Sequence, residues 1–99
     1  MSGEASATVQ IDDGRIRVVR YDMGPGERIP WHRHEHDYLV VPLSDGVVEI
    51  AAADGPSTLD VRAGEPYRRN AGAEHELVNG AHPYSFIEIE FIPRGAHDG

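Results

Sequence analysis

Cysteine and lysine are both absent from this 99-residue chain. The lack of cysteine excludes disulfides, thiolate zinc sites and cysteine nucleophiles. All 9 basic residues are arginines, and 17 acidic residues bring the formal charge to −8. Because a surface that binds nucleic acid needs clustered positive charge, this balance argues against a nucleic-acid partner.

Long apolar runs are missing as well. No stretch approaches the roughly 18 consecutive apolar residues of a membrane helix. The opening residues, MSGEASATVQIDDG, lack the basic start and apolar run of a secretory signal. We therefore expect a cytoplasmic protein with no membrane partner. It should form a single domain over residues 1–99, with loose tails at about 1–7 and 93–99.

A helical period of 3.6 residues is also missing, and the apolar residues fall into short segments of strand length. These segments cover residues 16–19, 39–43, 47–50, 57–61, 76–79 and 86–92. Glycine, proline and aspartate separate them at intervals of about 8–12 residues, a pattern typical of a β-sandwich or barrel. The sequence therefore predicts an all-β fold.

The last of these segments alternates cleanly between two faces. Phe86, Glu88 and Glu90 share one face, and Ile87 and Ile89 share the other. Because one face of such a strand must be buried, we expect the glutamates to lie outside.

The stretch WHRHEHDY, residues 31–38, places His32, His34 and His36 at alternate positions, followed by Tyr38. On an extended strand these side chains point to one face, with alternate Cα atoms roughly 6.5 Å apart. Two such imidazoles can reach one metal ion at distances of about 2.0–2.1 Å. An exposed, pH-sensitive histidine patch is the alternative interpretation.

A third metal ligand would have to come from another part of the chain. His75 is the main internal candidate. His82 and His97 are interpreted as ordinary histidines without a role in a site.

Residues 26–79 resemble the two sequence motifs of the cupin superfamily, in particular small, single-domain, RmlC-like cupins of the cupin_2 type. The first motif, G-x5-H-x-H-x3,4-E-x6-G, is matched by Gly26, His32, His34 and Gly46. The second motif, G-x5-P-x-G-x2-H-x3-N, is matched by Gly64, Gly72, His75 and Asn79, with Asn70 in place of the proline.

The resemblance implies a double-stranded β-helix, the cupin jelly-roll barrel, with a metal ion in its mouth. It also implies that His32, His34 and His75 bind this ion, one divalent transition metal per chain. Ligation by nitrogen alone suits iron, zinc, nickel or copper better than manganese or magnesium.

The departure from the family pattern that matters most lies in the first motif, where the family has a glutamate as the fourth ligand. The corresponding residue here is Tyr38 or Leu39, and the nearby Glu35 and Asp37 point away if the stretch is extended. Three arrangements remain open. They are a three-histidine site with water in the open positions, a site with His36 or Tyr38 as fourth ligand, and a barrel that has lost its metal.

A missing carboxylate ligand leaves more positive charge on the metal and makes it a stronger Lewis acid. Similar three-histidine cupins include dioxygenases that cleave β-diketones, so the resemblance implies a non-haem dioxygenase acting on a small organic molecule. A metal-dependent lyase or isomerase is one alternative, and a non-catalytic cupin that binds or senses a ligand is another. Tyr38 is the candidate catalytic residue, as a general acid or substrate anchor, unless it is an ordinary strand tyrosine.

Arginine side chains are the candidates for substrate recognition. Arginine can bind a substrate carboxylate through two hydrogen bonds, and the candidates are Arg20, Arg28, Arg33, Arg68 and Arg69. The sequence does not show which of them faces the interior of the barrel.

The exposed edges of a small barrel, together with the resemblance, predict a homodimer.

Overall fold

Residues 3–93 are described by the structure, a computed structural model, and they form nine β-strands and no helix. In chain order the strands are β1 (Ser6–Asp12), β2 (Ile16–Met23), β3 (Arg28–Arg33), β4 (Tyr38–Pro42), β5 (Gly46–Ala52), β6 (Gly55–Val61), β7 (Tyr67–Arg69), β8 (Glu74–Asn79) and β9 (Tyr84–Phe91). The all-β prediction is confirmed. The described residues contain no helix that is long and apolar enough to cross a membrane.

The strands form two antiparallel sheets. The first has five strands in the order β1-β2-β9-β4-β7, and the second has four in the order β3-β8-β5-β6. Because β3 and β4 lie in different sheets, as do β7 and β8, the chain crosses repeatedly from one layer to the other. This is the double-stranded β-helix that the resemblance implied.

The core lies between the two sheets and follows the period of two along each strand. Tyr38, Val40 and Pro42 of β4 are buried, and their neighbours Leu39 and Val41 are partly exposed. The buried hydrophobic cluster consists of Met23, Tyr38, Val40, Val48, Ile50, Val61, Leu77, Tyr84 and Phe86. Each such side chain contributes about 1.5–3 kcal/mol by leaving water, so this cluster is the main source of stability for the barrel.

The inward face of β9 differs from the sequence-based expectation. Phe86 and Glu88 are buried, with exposed fractions of 2% and 8%. The expectation that both glutamates lie outside is therefore wrong for Glu88. The cause is the register with β4: Glu88 pairs with Val40, and directly opposite residues of neighbouring strands share a face. Since Val40 is in the core, Glu88 is directed into the barrel as well.

Strand pairing begins before the expected end of the N-terminal tail at residue 7. Glu4 forms a bridge with Arg28, and Ser6 and Ala7 belong to β1. The expected C-terminal tail, residues 93–99, lies outside the described residues except for Pro93.

Candidate metal centre

Three histidines of the four-stranded side of the barrel converge on one point. His32 of β3 and His75 of β8 are directly paired across the two strands, and His34 follows the end of β3. The Nε2 atom of His34 lies 2.8 Å from Nε2 of His32 and 3.2 Å from Nε2 of His75. The structure therefore brings together the three residues that match the histidine positions of the two motifs.

His34 is held in place although it lies just beyond β3. Its amide donates to the carbonyl of Ala73 at 2.9 Å, and its carbonyl accepts from the amide of Gly72 at 2.8 Å. Gly72 has a φ of 93°, in the left-handed region that favours glycine. The glycine of the second motif thus shapes the loop that fixes a ligand candidate of the first.

The arrangement of the nitrogens fits a metal ion. Two nitrogens that each lie about 2.0–2.1 Å from one ion, at octahedral or tetrahedral angles, are about 2.8–3.4 Å apart. The observed separations of 2.8 and 3.2 Å lie within this range. Nδ1 of His32 donates to the carbonyl of Pro30 at 2.7 Å, because a carbonyl oxygen only accepts. Nε2 of the neutral ring then keeps the lone pair that a metal requires.

The electrostatics of the site keep two imidazoles uncharged. Burial, followed by the charges of His32 and His75, lowers the pKa of His34 to about 3. Burial and the charge of His32 lower the pKa of His75 to about 4. Neutral imidazole is the form that ligates transition metals, so both rings are in the metal-binding state at neutral pH.

His32 and His75 border a small cavity between the two sheets. Its volume is about 20 Å³, which is room for roughly one water molecule. The residues that line it are Tyr21, Ile29, His32, Tyr38, Val40, Ile50, Tyr67, Arg69, His75, Leu77, Phe86 and Glu88. The imidazoles come from the β3–β8 side, whereas the other polar side chains, among them Tyr38, Arg69 and Glu88, come from the five-stranded sheet.

Proteins of similar sequence and structure identify the family. No family model matches the chain. The β-alanine degradation protein BauB of Pseudomonas aeruginosa is 41% identical over 93 residues, covering 91% of this chain and 98% of BauB. The crystal structure of a cupin domain from Bordetella pertussis is 36% identical, with a TM-score of 0.89, over 92% of this chain and 96% of that one. The chain belongs to the cupin superfamily.

A solved structure of lower sequence identity has the same fold. The polyketide cyclase RemF of Streptomyces resistomycificus superimposes with a TM-score of 0.73 at 23% identity. The match covers 92% of this cupin and 67% of RemF.

The row of alternating side chains in WHRHEHDY is interrupted in the cupin. Strand β3 ends at Arg33, the chain bends at Glu35 and His36, and β4 begins in the other sheet at Tyr38. His36 is not part of the three-histidine group, because this bend breaks the strand that would have aligned it with His34.

The two acidic residues of the same stretch do not join the group either. Asp37 accepts from the amide of Ala71 at 2.7 Å and from Arg68 at 3.4 Å. Glu35 is exposed and lies 3.8 Å from Arg33. Both carboxylates therefore have partners on the surface of the cupin.

Tyr38 reaches the centre from the opposite sheet. Its ring stacks on the imidazole of His34, with centroids 3.8 Å apart and an interplanar angle of 19°. Its hydroxyl is buried and has no hydrogen-bond partner among residues 3–93. Burial, followed by the charge of Glu88, raises the pKa of the Tyr38 phenol well above its ordinary value. The hydroxyl therefore stays protonated, which suits a hydrogen-bond donor to a bound molecule better than a metal ligand.

Glu88 is a residue of the site that the sequence did not predict. Its Oε1 atom lies 3.7 Å from Nδ1 of His34. Burial, and then the charge of Glu90, raises the pKa of the Glu88 carboxyl to about 7. The sequence did contain one signal for the burial of Glu88. Glu88 shares a strand face with Phe86, a bulky aromatic candidate for the core.

His82 is exposed, and only its backbone carbonyl takes part in the fold, accepting from the side chain of Asn79 at 2.8 Å. His97 lies outside the described residues.

Proposed function

We propose that this cupin is a metal-dependent enzyme that acts on a small organic molecule, with a non-haem oxygenase reaction. The observation that carries the proposal is the convergence of three imidazole nitrogens that no carboxylate of the described residues joins. Three protein ligands leave coordination positions open, as in catalytic rather than structural sites. A divalent transition metal, when bound, supplies Lewis acidity and, in the case of iron or copper, electron transfer.

The surrounding side chains supply the remaining functions. The carboxylate of Glu88, beside Nδ1 of His34, favours the ring orientation in which Nε2 faces the other two histidines. The protonated hydroxyl of Tyr38 donates to a molecule bound in the cavity. The packed barrel around the cavity limits the access of bulk water.

The size of the substrate is inferred from two observations. A cavity of about 20 Å³ leaves space only for a small group. The name of the relative BauB places that protein in the degradation of β-alanine, a small amino acid. Both support a small metabolite as the substrate of this cupin.

The test combines metal analysis with oxygen uptake. The protein is purified without a histidine tag, loaded separately with iron, zinc, nickel or copper, and examined for metal content. We expect about one ion per chain and, with iron, oxygen consumption that depends on added substrate. Fully folded protein that takes up none of these metals would contradict the proposal.

The same assay separates the alternatives. Substrate conversion without oxygen uptake would indicate a metal-dependent lyase or isomerase. Metal and ligand binding without any conversion would indicate a non-catalytic cupin that stores or senses a small molecule.

A further inference from the structure

Arg69 brings a positive charge to the wall of the cavity. It lies on β7, directly opposite Tyr38 of β4, and paired residues of neighbouring strands share a face. Both residues line the cavity that His32 and His75 border. Arg68, one position earlier, points the other way and lies beside the exposed Phe91 and Asp37. The period of two along β7 therefore directs Arg69 inward.

The other arginines considered for recognition are paired with carboxylates outside the cavity. Their partners are Asp22 for Arg20, Glu76 for Arg28, Glu35 and Glu74 for Arg33, and Asp37 for Arg68. None of these four arginines lines the cavity. Arg69 is thus the one candidate of the five that faces the site.

Arg69 forms no ion pair with any carboxylate in residues 3–93. Its contact is with the face of Tyr67, where the guanidinium carbon lies 5.6 Å from the ring centroid. Glu88 borders the same cavity, and its Oε1 atom lies 3.7 Å from Nδ1 of His34. A partly buried guanidinium without an anionic partner is costly, and a bound anion relieves this cost.

We infer that Arg69 binds a carboxylate group of the substrate, so that this cupin acts on a small organic anion. The inference rests on the proposed function for the nature of the reaction, but not for the binding of the anion itself. A guanidinium binds a carboxylate through two parallel, charge-assisted hydrogen bonds. Tyr38, directly opposite, has a buried hydroxyl without a partner among the described residues and supplies a further donor.

The test compares two small ligands of similar shape and different charge. Acetoacetate carries a carboxylate, and acetylacetone replaces it with an uncharged acetyl group at neutral pH. Their affinities are measured by isothermal titration calorimetry on the metal-free protein, because acetylacetone loses a proton on a metal ion and binds it as a chelating enolate. The variants are Arg69→Gln, Arg69→Lys and, as a control that removes an equal charge from the outer surface, Arg20→Gln.

We expect the wild-type protein to bind acetoacetate more tightly than acetylacetone. Arg69→Gln should weaken acetoacetate binding by about 10-fold to 100-fold, the usual effect of losing hydrogen bonds to a charged group. Its affinity for acetylacetone should change little. Arg69→Lys should retain part of the preference, and Arg20→Gln should retain all of it.

Equal affinity of the wild-type protein for the two ligands would overturn the inference, and this result does not depend on the folding of any variant. Equal losses in Arg69→Gln and Arg20→Gln would overturn it as well. Metal content is measured separately for each preparation. If the wild-type protein took up no metal, the proposed function would fail, whereas a preference for acetoacetate that Arg69→Gln removes would still support the anion site.

Discussion

Glu88 Oε1 lies 3.7 Å from Nδ1 of His34, while Nε2 of the same ring faces His32 and His75. The imidazole is thus placed between a carboxylate and the proposed metal position. Histidine ligands of metals commonly have such an outer partner, which fixes the ring orientation and makes the ligating nitrogen more basic. This relationship leads to the first prediction.

Replacement of Glu88 by glutamine should weaken metal binding by about 10-fold to 100-fold, the usual effect of losing an outer partner of a histidine ligand. Competition with a chromophoric chelator measures the affinity. Glu90→Gln is the matched control, because Glu90 is on the same strand but pairs with Arg17 at 3.3 Å. Equal affinities of the two variants would show that Glu88 does not support His34.

Replacement of His75 by alanine should abolish stoichiometric metal binding, because it removes one of the three converging nitrogens. His82→Ala removes an exposed histidine and should leave the metal content unchanged. His36→Ala should also leave it unchanged if three histidines suffice. Elemental analysis of dialysed protein checks all three, and full occupancy in His75→Ala would exclude His75 as a ligand.

Replacement of Tyr38 by phenylalanine should lower substrate turnover without lowering the free energy of unfolding. The hydroxyl of Tyr38 is buried without a partner among residues 3–93, and such a group costs about 1–3 kcal/mol. We therefore expect the variant to be at least as stable as the wild type in urea unfolding, and its substrate turnover to fall.

Tyr84→Phe is the control for this change. The hydroxyl of Tyr84 is also buried and unpartnered within the described residues, but Tyr84 does not line the cavity. The stability of this variant should change in the same direction, with turnover preserved. Unchanged turnover in Tyr38→Phe would assign Tyr38 to the core alone.

The edge strand β1 leads to a prediction about assembly. All seven of its residues are exposed, including Val9 and Ile11, and within residues 3–93 only β2 pairs with it. Because exposed edges and apolar side chains favour association, we expect a homodimer that covers β1. Light scattering after size exclusion should show a dimer for the wild type and a monomer for Val9→Glu. Val47→Glu, an equally exposed position on β5, should remain dimeric, and a monomeric wild-type protein would contradict the expectation.

The histidine centre could be predicted because its residues belong to two motifs with short internal spacings. His32 and His34 are two residues apart, and the second motif pointed to His75 through its spacing from Gly64 and Gly72. The local bend after His34 could not be predicted in the same way. It depends on hydrogen bonds between residues 34–37 and residues 71–73, which are distant in the sequence.

The polar residues of the opposite wall were not predictable for a different reason. Alternation shows which residues of a strand share a face, but not which face is buried. For Glu88 the choice is made by pairing with Val40, and for Arg69 by pairing with Tyr38. Both inward orientations depend on pairing with β4. Their prediction therefore requires the order of the strands in the sheet as well as the sequence of each strand.

The two sheets contribute different chemistry to the centre. The imidazoles of His32 and His75 are anchored in one sheet, and Tyr38, Arg69 and Glu88 are carried by three adjacent strands of the other. A mutation on β4, β7 or β9 can therefore alter which molecule is accepted without removing a histidine. Directed evolution of new substrate preferences in this barrel should begin on those three strands, with β3 and β8 held constant.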